Sequence, residues 1–420
     1  MAVVQAGHRF SYDAAMPADR RTPLVLSPFR GLRFDPSVVG DLGSVVSPPY
    51  DVLDAETVRD LEAGNQHNIV RLILARTYER PYRAVRRRLE AWREDGCLVP
   101  DPEPTLYVYQ YTVDRVTVRG LIGLVALRDE DEGVVLPHED VMPGPVDDRA
   151  VLMRTTATNP EPILLVHHGT AGLRDLLDLV TGRVPLEEFD ARDGSHHVLW
   201  GIIDPGELSA VARELESGRA LIADGHHRYA AYLRLRDEQR PAGAPADSSP
   251  WDFGLAMLVN QDDHPLSIGP IHRSVSALTL ADVRDLSRER GDEVTGCTDR
   301  ETALAALADT RPDQASFAVS DGRDWVVVTT WRHHEVDASV LHSEILPAWN
   351  VVEEQIGYHH SLDQALQEIT REPAVVVAVR PPRLDQVMAS AERGERMPRK
   401  ATSFAPKPRM GLVMRDLRDA

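Results

Sequence analysis

A chain of 420 residues, of which 42% are hydrophobic and 27% are charged, has the composition of a globular protein with two or three domains. Its formal net charge of −19 argues against nucleic-acid binding as a main task, because phosphate backbones are bound by an excess of Lys and Arg. The apolar runs are too short to cross a bilayer, no secretory signal is visible, and the two cysteines lack metal-type spacing. We therefore expect a cytoplasmic enzyme or small-molecule binder, with neither a nucleic-acid nor a membrane partner.

The first part of the chain combines ordered loops with short elements. The Gly- and Pro-rich stretch PFRGLRFDPSVVGDLGSVVSPPYDVLD predicts an ordered loop with short strands. Two helices follow, AETVRDLEAG and YRAVRRRLEAWREDG, and the apolar run HNIVRLILA between them is predicted as a strand. The alternating stretches TLYVYQYTV and VTVRGLIGLVAL predict a hairpin that turns at Asp114 and Arg115.

Strands and helices alternate through the remainder. The runs PILLVHH, HHVLWGII and DFGLAMLVN predict strands, GLRDLLDLVTG predicts a helix, and ASFAVSDGRDWVVVTTW predicts a hairpin with an Asp-Gly turn. This order is typical of an α/β fold with mixed rather than purely parallel sheets. We divide the chain into an N-terminal α/β part (residues 1–115), a core (116–270) and a C-terminal α/β part (271–420).

The stretch LIADGHHRYAAY places ionisable groups between a buried strand and a helix. Gly225 permits a tight turn, and the backbone N–H groups that follow it, with His227 and Arg228, form a predicted phosphate site at the helix start. Asp224 is predicted to hold Mg²⁺. The alternative is that Asp224 only caps the helix and the histidines are solvated. Zinc is disfavoured because His226 and His227 lack the i, i+4 spacing of a chelating pair.

Three further motifs carry candidate site residues. In LPHEDVMPGPVDDR, a carboxylate beside a histidine suits general-base work, which favours His138 and Glu139, whereas Asp147 and Asp148 are equally compatible with a solvated loop. The second motif combines SPFRGLRFD and SPPYDVLD, and the third is PIHRSV. In both, polar side chains stand beside prolines that restrict the backbone. The candidate substrate-binding residues are Arg30, Tyr50, Asp51, Arg149, His272 and Arg273.

Only two of the 47 basic residues are lysines, and both, Lys400 and Lys407, lie in the segment MPRKATSFAPKPRMGL. An ammonium is a compact point charge that a planar guanidinium does not replace. We therefore predict that this segment folds back beside the DGHHR turn, where the lysines contact phosphate, and that Lys400→Arg is harmful. Chance clustering in a solvated tail is the alternative.

Taken together, the stretches PFRGLRFD, SPPYDV, PHED, DGHHRY, PIHR and MPRKATSFAPK resemble, in this order, a widespread bacterial and archaeal family labelled a domain of unknown function. The resemblance covers nearly the whole chain. Within it, DGHHR is similar to the phosphate-binding turn of the ParB/sulfiredoxin superfamily, which implies a core of that type in residues 116–270. That superfamily includes DNA-partitioning switches, sulfiredoxins and kinases of free L-serine.

This second resemblance implies three chemistries, of which the sequence disfavours two. Sulfiredoxin activity needs a cysteine in the turn, and DNA partitioning needs a DNA-binding module and a basic face. A kinase remains, transferring phosphate from ATP (or ADP or CTP), with Mg²⁺, to a free amino acid such as L-serine to give O-phosphoserine. The implied catalytic residues are Glu139 as base, Asp224, His138 and His226; the implied phosphate-binding residues are Gly225, His227, Arg228, Lys400 and Lys407.

Two alternatives stay open, a nucleotide-binding regulatory protein without turnover and a metal-dependent phosphodiesterase or nuclease. A homodimer is also left open.

Overall fold

A computed structural model describes residues 22–74, 81–331, 336–369 and 373–418. The predicted α/β fold with mixed sheets is confirmed. No helix in these ranges is long and apolar enough to cross a membrane. The α-helices are Pro36–Val39, Ala55–Gly64, Val70–Ile73, Pro81–Glu94, Pro143–Thr156, Ala171–Thr181, Pro205–Leu215, His226–Gln239, Leu280–Arg290, Arg300–Ala308, Asp337–Val340, Leu346–Ala348, Leu362–Glu368 and Leu384–Glu392.

A nine-stranded central sheet organises the molecule. Its strands, in spatial order, are Val135–Leu136, Ala220–Asp224, Ile163–His167, Phe253–Asn260, Val116–Ala126, Leu106–Val113, His196–Ile202 and Glu187–Asp190, and Leu26–Ser27 pairs with Val116–Ala126. Pairing is mixed, since Ile163–His167 runs parallel to Phe253–Asn260 and antiparallel to Ala220–Asp224. The predicted hairpin is confirmed, with Asp114 and Arg115 at φ of 47° and 72°.

The described residues also form three smaller sheets. The antiparallel C-terminal sheet contains Glu293–Cys297, Trp325–Trp331, Gln314–Ser320, Ala374–Ala378, His272–Ser276 and Ile356–His359. A four-stranded sheet contains Leu98–Pro100, Gly31–Phe34, Met414–Asp416 and Thr158–Asn159, and Ser267–Gly269 pairs with Ser403–Ala405. Strand pairing therefore crosses the expected domain division at residue 115. It also joins Met414–Asp416, late in the chain, to Gly31–Phe34, early in the chain.

Successive side chains of the strand Leu106–Val113 lie on opposite faces of the central sheet. Tyr107, Tyr109 and Tyr111 are fully buried on one face, where Met397 and Phe404 of the C-terminal segment (residues 397–410) join the same apolar cluster. The hydroxyl of Tyr111 donates to the carbonyl of Pro406 at 2.7 Å. This face thus holds the segment that carries both lysines.

One predicted element is wrong. The apolar run that begins at His67 contains the short helix Val70–Ile73 instead of a strand. Asn68 is fully buried; its carboxamide donates to the carbonyls of Ser44 and Val46 and accepts from the N–H of Val70. A short apolar run does not by itself distinguish a buried helix from a strand, and here the asparagine starts the turn.

Candidate functional site

The turn after the buried strand Ala220–Asp224 has the geometry that its sequence predicts. Gly225 has a φ of 99°, and a Cβ there would lie 2.8 Å from Cγ2 of Ile163, so only glycine fits without a shift. The helix His226–Gln239 starts directly afterwards without a side-chain cap. Its first N–H groups therefore form the positive end of a helix dipole.

Alternating charges extend inward from this turn. The Nζ of Lys407 lies 2.6 Å from Oδ1 of Asp224, and Oδ2 of Asp224 accepts from the guanidinium of Arg228. Behind them, Nη1 of Arg228 lies 3.7 Å from Glu161, whose other oxygen lies 3.8 Å from Nη1 of Arg149. We call these five residues the charged row. This contact brings the C-terminal segment beside the turn at Lys407.

The charges within the row determine the protonation states of Asp224 and Arg228. Burial by itself would raise the pKa of Asp224, but the charges of Lys407 and Arg228 outweigh burial and hold this pKa well below its usual range. Burial likewise lowers the pKa of Arg228, and the carboxylates Glu161 and Asp224 more than compensate, so it rises above its ordinary value. Asp224 and Arg228 are therefore both charged at neutral pH.

Asp224 does not fit the predicted role of magnesium ligand. Both of its oxygens already contact cationic side chains, and a divalent ion beside an ammonium and a guanidinium would be repelled. No group of three or more His, Cys, Asp or Glu side chains that could hold a metal occurs in the described ranges.

Glu139 binds the backbone of the C-terminal segment. Its Oε1 accepts from the N–H groups of Ala401 and Thr402, at 3.0 and 2.8 Å, and from the Thr402 hydroxyl at 2.8 Å. Among the described residues, its Oε2 accepts only from the N–H of Lys400, at 3.2 Å. Burial raises the pKa of this carboxyl, although the hydrogen bonds from Thr402 and the charge of Lys400 oppose the shift.

Lys400 contacts this site differently from the way the sequence suggested. Its backbone N–H, not its ammonium, makes the hydrogen bond to Glu139, and its φ of 57° lies in the left-handed region that side chains rarely adopt. Burial is the main cause of both pKa shifts nearby; the positive charge of Lys400 opposes the rise in the pKa of Glu139 and adds to the lowering of the pKa of His227. Because arginine keeps the same backbone donor, the expectation that Lys400→Arg is harmful loses its basis.

The three histidines of the site are neutral because burial lowers the pKa of each, that of His138 to about 3. The rings of His138 and His226 meet edge to face at 4.5 Å, and Nε2 of His226 accepts from the backbone N–H of His138. Nε2 of His227 accepts from the N–H of Met142 at 3.0 Å. These contacts join the loop after Leu136 to the helix start. The catalytic role of His138 and His226 stays a prediction.

The predicted substrate-binding residues separate into two groups. Tyr50 and Arg149 reach the charged row, with the guanidinium of Arg149 4.9 Å from the centre of the Tyr50 ring. The side chain of Asp51 lies outside the part of the chain that the structure describes. Arg30 instead donates to the carbonyl of Asp101 and lines a separate cavity.

The other two residues of that set lie in the C-terminal sheet. Nδ1 of His272 accepts from the N–H of Val379, and burial lowers its pKa to about 4. Arg273 is fully buried, donates to His342 and stacks on Tyr358 at 4.8 Å. Burial lowers the pKa of Arg273 to about 10. The contacts named here for both residues lie outside the charged row.

Sequence analysis missed Glu161, which links the two arginines of the row. Its side chain is only 2% exposed. The available signal was a carboxylate between Pro160 and Pro162 immediately before a strongly apolar strand, where an unpaired charge would be unfavourable.

The chain matches the family described as protein of unknown function (DUF1015) over residues 26–351. It belongs to this family. The resemblance that the ordered motifs suggested is thereby confirmed. No curated protein matches the chain.

Among solved structures, a free serine kinase variant in complex with ADP is similar to this DUF1015 member with a TM-score of 0.38 and 17% identity, over 70% of this chain and 88% of that one. A conserved hypothetical protein from Pyrococcus furiosus gives a TM-score of 0.38 and 16% identity, over 71% and 96%. SbnI from Staphylococcus aureus, truncated at its C-terminus, gives 0.37 and 13%, over 69% and 84%. These values are too low to show a shared activity.

Proposed function

We propose that this protein is a small-molecule kinase that transfers phosphate from a nucleotide, with ATP the first donor to test, to the hydroxyl of a free amino acid. The observation that carries the proposal is the meeting of three features at one point. The ammonium of Lys407, the guanidinium of Arg228 and the uncapped helix start all converge on Asp224. Each of them is a group that stabilises phosphate oxygens.

The charged row prepares this point for an anion. Asp224 holds both cations in place before a ligand arrives, so little side-chain entropy remains to be lost on binding. A phosphate seated at the helix start would share Lys407 with Asp224. Mg²⁺ accompanies nucleotide phosphates generally and would enter with the nucleotide, since Asp224 is already occupied by cations.

In the proposed transfer, the acceptor hydroxyl oxygen forms a bond to the terminal phosphorus of the nucleotide. The bond from that phosphorus to the bridging oxygen breaks, and its electron pair leaves with the nucleoside diphosphate. The hydroxyl proton goes to Oε2 of Glu139, which accepts one hydrogen bond from the described residues, whereas Oε1 accepts three. A carboxyl whose pKa is raised by burial is suited to receive that proton.

The acceptor class follows from the motif resemblance, and L-serine is the first candidate. A nucleotide-binding protein without turnover remains the second candidate, favoured by the cationic contacts at Asp224 that leave no protein ligand for a metal there. The two candidates differ in whether the nucleotide is consumed.

The test incubates the full chain with ATP, Mg²⁺ and single amino acids. Formation of ADP and O-phosphoserine in equal amounts with L-serine supports the kinase, provided that L-alanine, which lacks the hydroxyl, gives none. If no hydroxy amino acid raises ADP formation above the rate without an acceptor, the kinase proposal fails. Calorimetry with ATP then decides whether binding alone remains.

A further inference from the structure

One cavity formed by the described residues lies apart from the charged row. Its volume is about 420 Å³, within the range of small-molecule sites, and none of its lining residues belongs to the row. Apolar side chains form part of the wall, among them Phe29, Leu124 and Phe253. Arg30 and Arg415 also line it.

The two acidic residues of the cavity wall, Asp247 and Asp416, are paired with arginines that do not line the cavity. Both oxygens of Asp247 accept from Arg128 at 2.7 Å. Asp416 accepts from Arg93 and from Arg418. None of these three arginines lines the cavity. The carboxylates therefore contribute little negative potential to its interior.

Arg415, in contrast, has no carboxylate partner within the described residues. Its side chain is 2% exposed and donates to the carbonyls of Phe253 and Pro250, both at 2.6 Å, and to the amide oxygen of Asn159. Its buried Nε–H has no acceptor among the residues that the structure describes. Burial lowers the pKa of this guanidinium to about 10, which reflects how poorly its charge is compensated.

Arg30, unlike Arg415, lies at the surface, but it also has no carboxylate partner within the described residues. It is exposed, and its one hydrogen bond in the described ranges goes to the backbone carbonyl of Asp101. Two guanidinium groups without a carboxylate partner thus border one partly apolar cavity, in a protein whose net charge is −19. Such an arrangement attracts an anion, because a buried cation is stabilised by any negative charge brought beside it.

We propose that this cavity is a second binding site, for a small organic carboxylate with an apolar body. The apolar part would pack against Phe29, Leu124 and Phe253. The carboxylate would lie between Arg415 in the wall and Arg30 near the exposed surface. Carboxylate geometry matches the planar donors of a guanidinium. This site does not depend on the proposed kinase activity.

The molecule supplies a matched control cavity. A second cavity of about 330 Å³ is also lined by two arginines, Arg119 and Arg174, but these pair with Asp178 and Asp263 of the same wall. Because its arginines are compensated, this cavity should not select anions.

The test is calorimetry of the full chain with benzoate and with benzamide, its neutral analogue of the same shape. We expect benzoate to bind at least tenfold more tightly than benzamide. Arg30→Glu should weaken benzoate binding roughly fivefold or more and leave benzamide unchanged, while Arg174→Glu in the control cavity should change neither. These variants lie on partly or fully exposed side chains, so the test does not require replacing the buried Arg415.

Three results would overturn the proposal: no benzoate binding up to about 50 mM, equal binding of benzoate and benzamide, or equal effects of Arg30→Glu and Arg174→Glu.

Discussion

Two parts of the C-terminal segment, around Lys400 and at Lys407, contact carboxylates in different ways. At Lys407, the ammonium itself contacts Asp224, and a second cation, Arg228, completes the pairing. At Lys400, the backbone N–H groups of Lys400, Ala401 and Thr402 surround Glu139. One carboxylate is thus held by charged side chains and the other by neutral donors, within seven residues of the same segment.

The difference decides what each carboxylate can do. Asp224 has a lowered pKa and remains an anion that organises cations. Glu139 has a raised pKa because burial outweighs its neutral donors, so it is the better proton acceptor of the two. The segment therefore contributes charge at one end and fixes the candidate base at the other.

The largest expected effect follows from Glu139→Gln. If Glu139 takes the hydroxyl proton, turnover should fall by roughly 10²–10⁴ while nucleotide affinity stays near wild type. Steady-state kinetics with calorimetry separates the two quantities. Asp140→Asn, at the exposed neighbouring carboxylate, is the control and should leave both unchanged. A loss of nucleotide affinity with normal turnover would assign Glu139 to holding the segment alone.

Arg228→Ala should weaken nucleotide binding by about 1.5–3 kcal/mol, the scale of a charge-assisted hydrogen bond. It should also destabilise the fold, because Asp224 and Glu161 would lose the cation between them. Arg234→Ala, on the same helix but half-exposed and paired with Glu238, is the matched control. Unchanged nucleotide affinity in Arg228→Ala, measured by calorimetry on folded protein, would remove the phosphate site from the helix start.

A smaller effect distinguishes the two carboxylates by pH. The pKa of Asp224 is lower in the folded chain than its ordinary value of 3.8, so its contribution to stability is present above that value and is lost as the pH falls below it. The pKa of Glu139 is raised above its ordinary value of 4.5, so its ionisation reduces stability as the pH rises through that region.

Urea unfolding between pH 3 and pH 7 measures both contributions. Relative to wild type, Asp224→Asn should lose less stability on acidification, and Glu139→Gln should lose less as the pH rises from about 4 to neutrality. Parallel pH profiles for the two variants would contradict the assigned directions.

Much of the site could be predicted from local chemistry. Gly225 indicated the tight turn, and two lysines in an arginine-rich chain indicated a segment that returns to it. The C-terminal segment could be recognised because its composition departs from the rest of the chain. The mixed α/β class followed in the same way from alternating periodicity.

The remaining features depend on contacts between distant parts of the chain. Asn68 turns an apolar run into a helix through carbonyls more than twenty residues away. Asp224 looks like a metal ligand until Lys407, 183 residues later, occupies it. The sequence around Glu161 does not predict which two arginines pair with it. These are tertiary pairings, which a single sequence does not specify.

The most direct test of the account compares the two lysines by one conservative change each. The nucleotide dissociation constants of Lys407→Arg and Lys400→Arg are measured by calorimetry with ATP and Mg²⁺, beside wild type. Lys407→Arg should weaken binding roughly tenfold, because a planar guanidinium cannot replace the compact ammonium at Asp224. Lys400→Arg should change it less than about twofold, because its backbone N–H makes the contact. Equal constants for both variants and wild type would contradict the claim that Lys407 completes a phosphate site.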